Sequence, residues 1–184
     1  MKDITYITGN PKKAEYLESY LGHPIEYVKL ELYEIQSLDL REVLQHKVRQ
    51  AYKELQKPVV VEDTSLEFKA LGRLPGPFIR FFVEEIKHQD ICDLLKDKDK
   101  SATARCMYAY FDGEREEYIE GVLEGSIAEE PAGSGGYGFD SFFIPHGYLV
   151  TKASLGDEDY KKVYMTLKPI AQLKEFLLSL QNNA

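Results

Sequence analysis

The sequence predicts an α/β fold, because strand and helix patterns alternate through its first 65 residues, a long hairpin pattern follows, and carboxylates and glycines cluster where strands end. Ile4 to Ile7 reads as a first strand. Thr8-Gly9-Asn10-Pro11 then turns the chain into a helix bearing Lys12, Lys13, Tyr16, Leu17, Tyr20 and Leu21. Asn10 suits the N-cap, Pro11 the first helical position and Gly22 the stop. Glu26 to Leu32 alternates as a second strand. From Leu38 to about Leu55, the residues Leu40, Val43, Leu44, Val48, Ala51, Tyr52 and Leu55 recur at helical spacing, with Asp39 as cap. Val59-Val60-Val61 is a third, buried strand ending in Glu62-Asp63-Thr64-Ser65. The reading places these carboxylates at the carboxyl edge of the sheet, where open α/β folds bind ligands, with the strand ends facing one cleft.

A loop of turn residues runs from Ala70 to Phe81, and Phe81 to Leu95 carries a broken helical pattern. Ala102 to Phe111 alternates as a strand, Asp112-Gly113 signals a two-residue hairpin, and Glu117 to Val122 returns, with Glu124 to Ala128 as a further strand. Glu114, Glu116, Glu117 and Glu120 read as a solvated face. In the segment Pro131 to Tyr148, Gly133, Gly135, Gly136 and Gly138 allow backbone amides close to an anion or a ring, while Tyr137, Phe139 and Phe142 offer faces for stacking. Asp157 to Leu180 is helical, with a break at Pro169 and a second helix starting near Thr166.

At 184 residues the chain is long enough for one well-buried core, read as a single domain over 1–184. A net charge of −8 opposes non-specific nucleic-acid binding, which needs a basic surface to displace counterions. Cys92 and Cys106 have no metal-type spacing and look like thiols of a reducing compartment. No run approaches membrane-spanning length and no signal peptide is read at the N-terminus, so the expectation is a cytoplasmic protein with neither membrane nor nucleic acid as partner. His23, His46, His88 and His146 are scattered without ligand spacing, and neither Ser134 nor Ser141 shows a nucleophile's arrangement.

Several polar groups nevertheless suggest chemistry. Asn10 and Lys13 lie at a strand-to-helix turn that suits a phosphate chain. Glu34 follows the second strand, and Glu62 and Asp63 end the third. Together these carboxylates are a candidate site for Mg²⁺, which takes a few carboxylates plus substrate phosphates and water. A metal-held polyphosphate beside a carboxylate that deprotonates water suggests hydrolysis. Lys13, Lys47 and Arg80 would neutralise charge on the leaving phosphates.

Three motifs, in order, carry a resemblance: Thr8-Gly9-Asn10-Pro11-Lys12-Lys13; Glu62-Asp63-Thr64-Ser65-Leu66 with Gly72-Arg73-Leu74-Pro75-Gly76-Pro77; and Gly136-Tyr137-Gly138-Phe139-Asp140. The chain resembles the inosine triphosphate pyrophosphatase (Ham1-like) family over nearly its whole length. The resemblance implies an elongated, twisted mixed sheet flanked by helices in two lobes with a central cleft, a homodimer, and Mg²⁺-dependent hydrolysis of nucleoside triphosphates to monophosphate and pyrophosphate, typically of non-standard purine nucleotides. It implies that Thr8, Asn10, Lys13, Lys47 and Arg80 bind substrate phosphates, that Glu34 is the metal-binding glutamate, with Glu62 and Asp63 as further candidate ligands, and that Asp63 is the general base with Glu62 beside it. It also implies that Phe139 packs on the base, with Asp140 in the same substrate-binding motif.

In one place the chain departs from the family. Tyr164, Met165 and Thr166 stand where the family carries a Ser-His-Arg motif whose His and Arg help read the 6-oxo group of the purine. Lys161 or Lys162 is the candidate for the lysine that precedes that motif. Loss of hydrogen-bonding donors that discriminate between bases leaves phosphate chemistry intact and predicts altered or relaxed base selection. Two alternatives are a catalytically inactive nucleotide-binding or regulatory protein of the same fold, and a Maf-type pyrophosphatase acting on pyrimidine or modified nucleotides.

Overall fold

A computed structural model of the chain describes residues 4–181. The elements run β1 (Thr5–Ile7), α1 (Pro11–Leu21), β2 (Glu26–Val28), α2 (Leu40–Leu55), β3 (Val59–Phe68), β4 (Pro75–Gly76), α3 (Ile79–Glu85), α4 (His88–Leu94), β5 (Ser101–Phe111), β6 (Glu116–Ile127), β7 (Phe143–Pro145), α5 (Asp157–Leu167) and α6 (Ile170–Gln181). The result is a mixed, twisted sheet of seven strands in the order β2-β1-β3-β5-β6-β7, with β4 on β3 and helices flanking. The α/β class expected from the sequence is therefore observed. By its internal contacts the chain divides into two compact units, residues 4–63, 107–120 and 169–181 in the first, and 64–106 and 121–168 in the second.

In the first unit, β1 pairs parallel with both β2 and β3, and Ile7 stands opposite Val61. Ile7, Val59 and Val61 point to the sheet face on which α2 lays Leu40, Leu44, Val48 and Ala51, closing a cluster with Met107 and Ala109. Each of the Leu, Ile, Val and Met side chains, fully buried, contributes about 1.5–3 kcal/mol relative to exposure. Because side chains alternate along a strand, Tyr6, Val60 and Glu62 point the other way. The expected caps form: the Lys12 N–H donates to Asn10 Oδ1 (3.0 Å), the Arg41 N–H to Asp39 Oδ1 (2.9 Å), and Gly22 closes α1 at φ +72°.

In the second unit, the far end of β3 pairs antiparallel with β4, Leu66 opposite Gly76, and β7 pairs antiparallel with β6, Ser126 opposite Ile144. Leu66, Phe68, Ile91, Leu95, Phe142 and Phe143 are buried there. His88, at the start of α4, meets Ser141 (Nδ1 to Oγ 2.7 Å) and packs edge-on against Phe142, fastening that helix to the 3-10 turn Gly138–Ser141.

Four expectations about local structure change. β2 ends at Val28, short of Leu32. β3 does not stop at Val61 but continues through Glu62-Asp63-Thr64-Ser65 to Phe68, because the acidic side chains have ionic partners and β4 pairs the strand's far end. The hairpin after β5 is wider than two residues, since Asp112 Oδ1 accepts from the N–H groups of both Glu114 and Arg115. The last helix begins at Ile170, after Pro169, rather than near Thr166. Glu116 is also no solvated acid: it accepts from Gln45 (2.9 Å) and Arg49 (2.7 Å) on α2 and from the Tyr118 phenol.

Candidate active site

In the first unit the β1–α1 turn carries a cation. The Asn10 N–H donates to Thr8 Oγ1 (3.1 Å), so Thr8 and Asn10 brace the turn, and the first turn of α1 carries no acidic residue to oppose an anion. One turn into α1, Lys13 Nζ lies 3.1 Å from Glu62 Oε1, and the Tyr6 phenol donates to Glu62 Oε2 (2.8 Å).

The α2 side of the same sheet holds a different arrangement. Lys47 extends from α2 and its Nζ donates to Glu34 Oε1 (2.9 Å) and Asp63 Oδ2 (3.0 Å). Burial alone would push this lysine down, but Asp63 and then Glu34 outweigh it and hold the ammonium above its ordinary pKa. Two carboxylates thus converge on one positive charge.

Glu62 and Asp63, expected to share one ligand, therefore serve opposite faces of β3. The cause is the strand itself: had it ended at Val61, a loop would have let both carboxylates turn the same way, whereas the pleat sends them apart. Among the described residues no group of three or more His, Cys, Asp or Glu side chains is gathered closely enough to hold a metal ion. Of the expected set Glu34, Glu62 and Asp63, Glu34 and Asp63 meet at Lys47, whereas Glu62 is engaged by Lys13 and Tyr6.

The second unit carries the glycine-rich loop. Asp140, buried in the 3-10 turn Gly138–Ser141, accepts from Lys152 Nζ (Oδ1, 2.9 Å), from the Tyr160 phenol (Oδ2, 2.9 Å) and from the Tyr137 N–H (Oδ2, 3.2 Å). Phe139 is largely buried. It is 8% exposed and packs edge-on against Phe143 at 5.8 Å, whereas Tyr137, two residues earlier, is 52% exposed. Arg80, in the first turn of α3, is exposed, 3.7 Å from Glu84 and stacked over Phe81 on its own helix.

Sequence reasoning missed two lysines. Lys152 sits in the 3-10 turn Lys152–Ser154 and Lys168 follows α5; both are buried, and Lys168 Nζ donates to Thr64 Oγ1 (3.3 Å). Lys161 and Lys162, the lysines singled out instead, are exposed on α5. Of the divergent triplet, Tyr164 is buried and stacks on Tyr160, while the Thr166 hydroxyl donates to the Lys162 carbonyl (3.1 Å).

The sequence profile of the Ham1 family matches residues 4–176. The chain is 39% identical to inosine triphosphate pyrophosphatase 2 of Trypanosoma cruzi, an alignment covering 93% of this chain and 90% of the relative. It is 35% identical to inosine triphosphate pyrophosphatase of Scheffersomyces stipitis, over 97% of this chain and all (100%) of the relative. The structure superposes on a nucleoside-triphosphatase, or dITP/XTP pyrophosphatase, of Mycobacterium abscessus with a TM-score of 0.79 at 26% identity, covering 94% of this chain and 98% of that one. A HAM1 protein of Coxiella burnetii shares the fold, with a TM-score of 0.83 at 24% identity over 97% of this chain and 100% of that one. With its three motifs in place along a matching fold, the chain belongs to the Ham1 family.

Proposed function

We propose that this protein is a Mg²⁺-dependent nucleoside triphosphate pyrophosphatase that hydrolyses non-standard purine nucleotides, inosine and xanthosine triphosphates and their deoxy forms, to the monophosphate and pyrophosphate, with altered or relaxed base selection. The observation that carries the reading is the convergence of Glu34 and Asp63 on the Lys47 ammonium, a pair of carboxylates already arranged around a positive charge. That donor set fits Mg²⁺, which is commonly held by one or two carboxylates while substrate phosphates and water complete its shell. When bound, the ion would neutralise charge on the phosphate oxygens.

The remaining work falls to the chain's own residues. Asp63 takes a proton from the attacking water through the carboxylate that Lys47 now holds. Lys47 would offer its ammonium to the phosphates when Glu34 and Asp63 hold the ion, and Lys13 would join it from the first turn of α1. Arg80 adds an exposed guanidinium for the phosphate chain. Base recognition belongs to the glycine-rich loop of the second unit, where Tyr137 presents the exposed ring and Asp140 anchors its backbone. The absence of a Ser-His-Arg triplet at Tyr164, Met165 and Thr166 is why base selection is proposed to differ. Matches to relatives over 90% or more of their length support a single functional domain over the whole chain, proposed to act as a homodimer. No described helix is long and apolar enough to cross a membrane, and a cytoplasmic location is proposed from the enzyme's nucleotide-pool role.

The test is pyrophosphate release from inosine, xanthosine, standard and modified nucleoside triphosphates, with Mg²⁺ and with a chelator. Chelator-sensitive release with a preference for a non-standard purine is expected. Silence across the panel, with nucleotide still bound, would replace the enzyme by a nucleotide-binding protein.

A further inference from the structure

The second unit buries an ion pair that core packing alone would not require. Asp140 and Lys152 side chains are 4% and 3% exposed, and replacing such a pair by apolar groups of similar volume is often neutral or stabilising. The pair is also elaborately held. Lys152 Nζ lies 4.9 Å from the centroid of the Tyr160 ring and 5.7 Å from that of Tyr164, the two rings stacking at 6.3 Å. Burial pushes the Lys152 pKa down, Asp140 opposes that, and Lys168 adds to it.

What the pair touches gives it a task. Gly136 stands at φ +72°, and a Cβ there would lie 2.1 Å from Asp140 Oδ2; Gly133 stands at φ +81°, and its Cβ would lie 2.4 Å from the Ala153 backbone. The Gly135 N–H donates to the Ala153 carbonyl (3.1 Å). The loop is thus closed between the turn that carries Lys152 and the turn that carries Asp140, and the Tyr137 amide is tied to that same carboxylate.

We infer that Lys152 is a positioning residue for recognition of the nucleotide's planar group: its ammonium holds Asp140 in place, and Asp140 fixes the glycine-rich loop that presents Tyr137. The inference rests on the nucleotide reading proposed above. Lys152 itself touches no substrate in this scheme. An uncharged residue at 152 leaves a buried carboxylate without its cation, and the loop loses its anchor.

The experiment compares the full chain with Lys152→Met, Lys152→Arg, Asp140→Asn and the double variant Lys152→Met/Asp140→Asn. Two measurements are made: steady-state kinetics on the preferred nucleotide, and hydrogen exchange of the amides of residues 132–140. Lys152→Met is expected to raise KM by about tenfold with kcat within about twofold, and to speed exchange in the loop by about tenfold while the other strands exchange as before. Lys152→Arg keeps the charge and is expected to stay within about threefold of the parent KM. The double variant is expected to be no worse than Asp140→Asn, because a neutral amide needs no cation. A folded Lys152→Met variant with unchanged KM and unchanged loop exchange overturns the inference, as does a double variant whose losses simply add. If Lys152→Met does not fold, an Arg variant as impaired as Asp140→Asn overturns it too. Should the parent release no pyrophosphate from any nucleotide, the functional reading fails, while loop exchange still decides whether Lys152 anchors the loop.

Discussion

Glu62 and Asp63, neighbours in sequence, leave β3 on opposite faces, Glu62 toward Lys13 and Tyr6 and Asp63 toward Lys47. The pair therefore cannot act as two interchangeable carboxylates. Asp63 shares a cation with Glu34, on the face where α2 packs, while Glu62 ties β3 to the helix that follows β1.

The two carboxylates are expected to respond differently to neutralisation. Asp63→Asn should lower kcat by about 10²–10⁴-fold, the range for losing a general base, with nucleotide binding still measurable by calorimetry. Glu62→Gln keeps hydrogen-bonding capacity toward Tyr6 and loses only the charge facing Lys13, so its main effect should be on KM. Equal losses of kcat in the two variants would return the base to a shared dyad.

Glu34→Gln removes one of the two charges on Lys47 and one of the proposed metal ligands. The Mg²⁺ concentration giving half-maximal rate should rise by about tenfold, with the rate at saturating Mg²⁺ largely restored. An unaltered Mg²⁺ dependence would remove Glu34 from the metal set. Lys47→Met should instead depress the rate at every Mg²⁺ concentration, since it removes the charge proposed to neutralise the phosphates.

Cys92 allows a prediction about stability and pH. Burial, joined by Asp93 and opposed by Lys100, pushes its thiol up to about 11, so the folded chain resists forming the thiolate that the unfolded chain forms around the thiol's ordinary value of 9.0. A group whose pKa is raised by folding stabilises fully below the unfolded pKa and loses that contribution as pH climbs to the folded one. The denaturation midpoint should therefore fall between pH 9 and about 11, and the Cys92→Ala variant should show a shallower fall over that window. Parallel curves for the two proteins would assign the alkaline loss to other groups.

Much of this was legible in the sequence because it is written locally. Asn10 and Asp39 cap their helices from two residues away, Gly22 stops α1, and the 3.6-residue recurrence from Leu40 to Ala51 is the face that α2 buries. Lys13 and Glu34 also stood out, one in the first turn of α1 and the other beyond β2, whereas Asp63 and Lys47 stand mid-element and were legible from the acidic break after Val61 and from the family resemblance. What was not legible depends on distant partners. The polar stretch after Val61 stays in a strand because Lys13, Lys47 and β4 meet it, none of which adjoins it in sequence. Lys152 carries no periodic signal between Thr151 and Ala153, and its burial follows from Asp140, twelve residues earlier, and from Tyr160 and Tyr164 on α5. Phe139 and Tyr137 are alike as aromatic residues, and only the turn between them decides which is outside.

That last distinction leads to opposite expectations for two neighbouring truncations. Phe139→Ala removes a buried ring packed on Phe143 and should cost about 3–5 kcal/mol of stability, read as a lowered denaturant midpoint, with KM for the nucleotide changing only as far as the loop loosens. Tyr137→Ala removes an exposed ring whose backbone N–H still reaches Asp140, so stability should change by less than about 0.5 kcal/mol. Its KM should nevertheless rise by about tenfold, because a stacked base loses about 1–3 kcal/mol when its aromatic partner is cut to alanine. Nucleotides lacking a purine ring should be affected less. A Tyr137→Ala variant with unchanged KM on every nucleotide, beside a Phe139→Ala variant that is stable but fails to bind, would move base stacking back to Phe139 and require the loop to open when substrate enters.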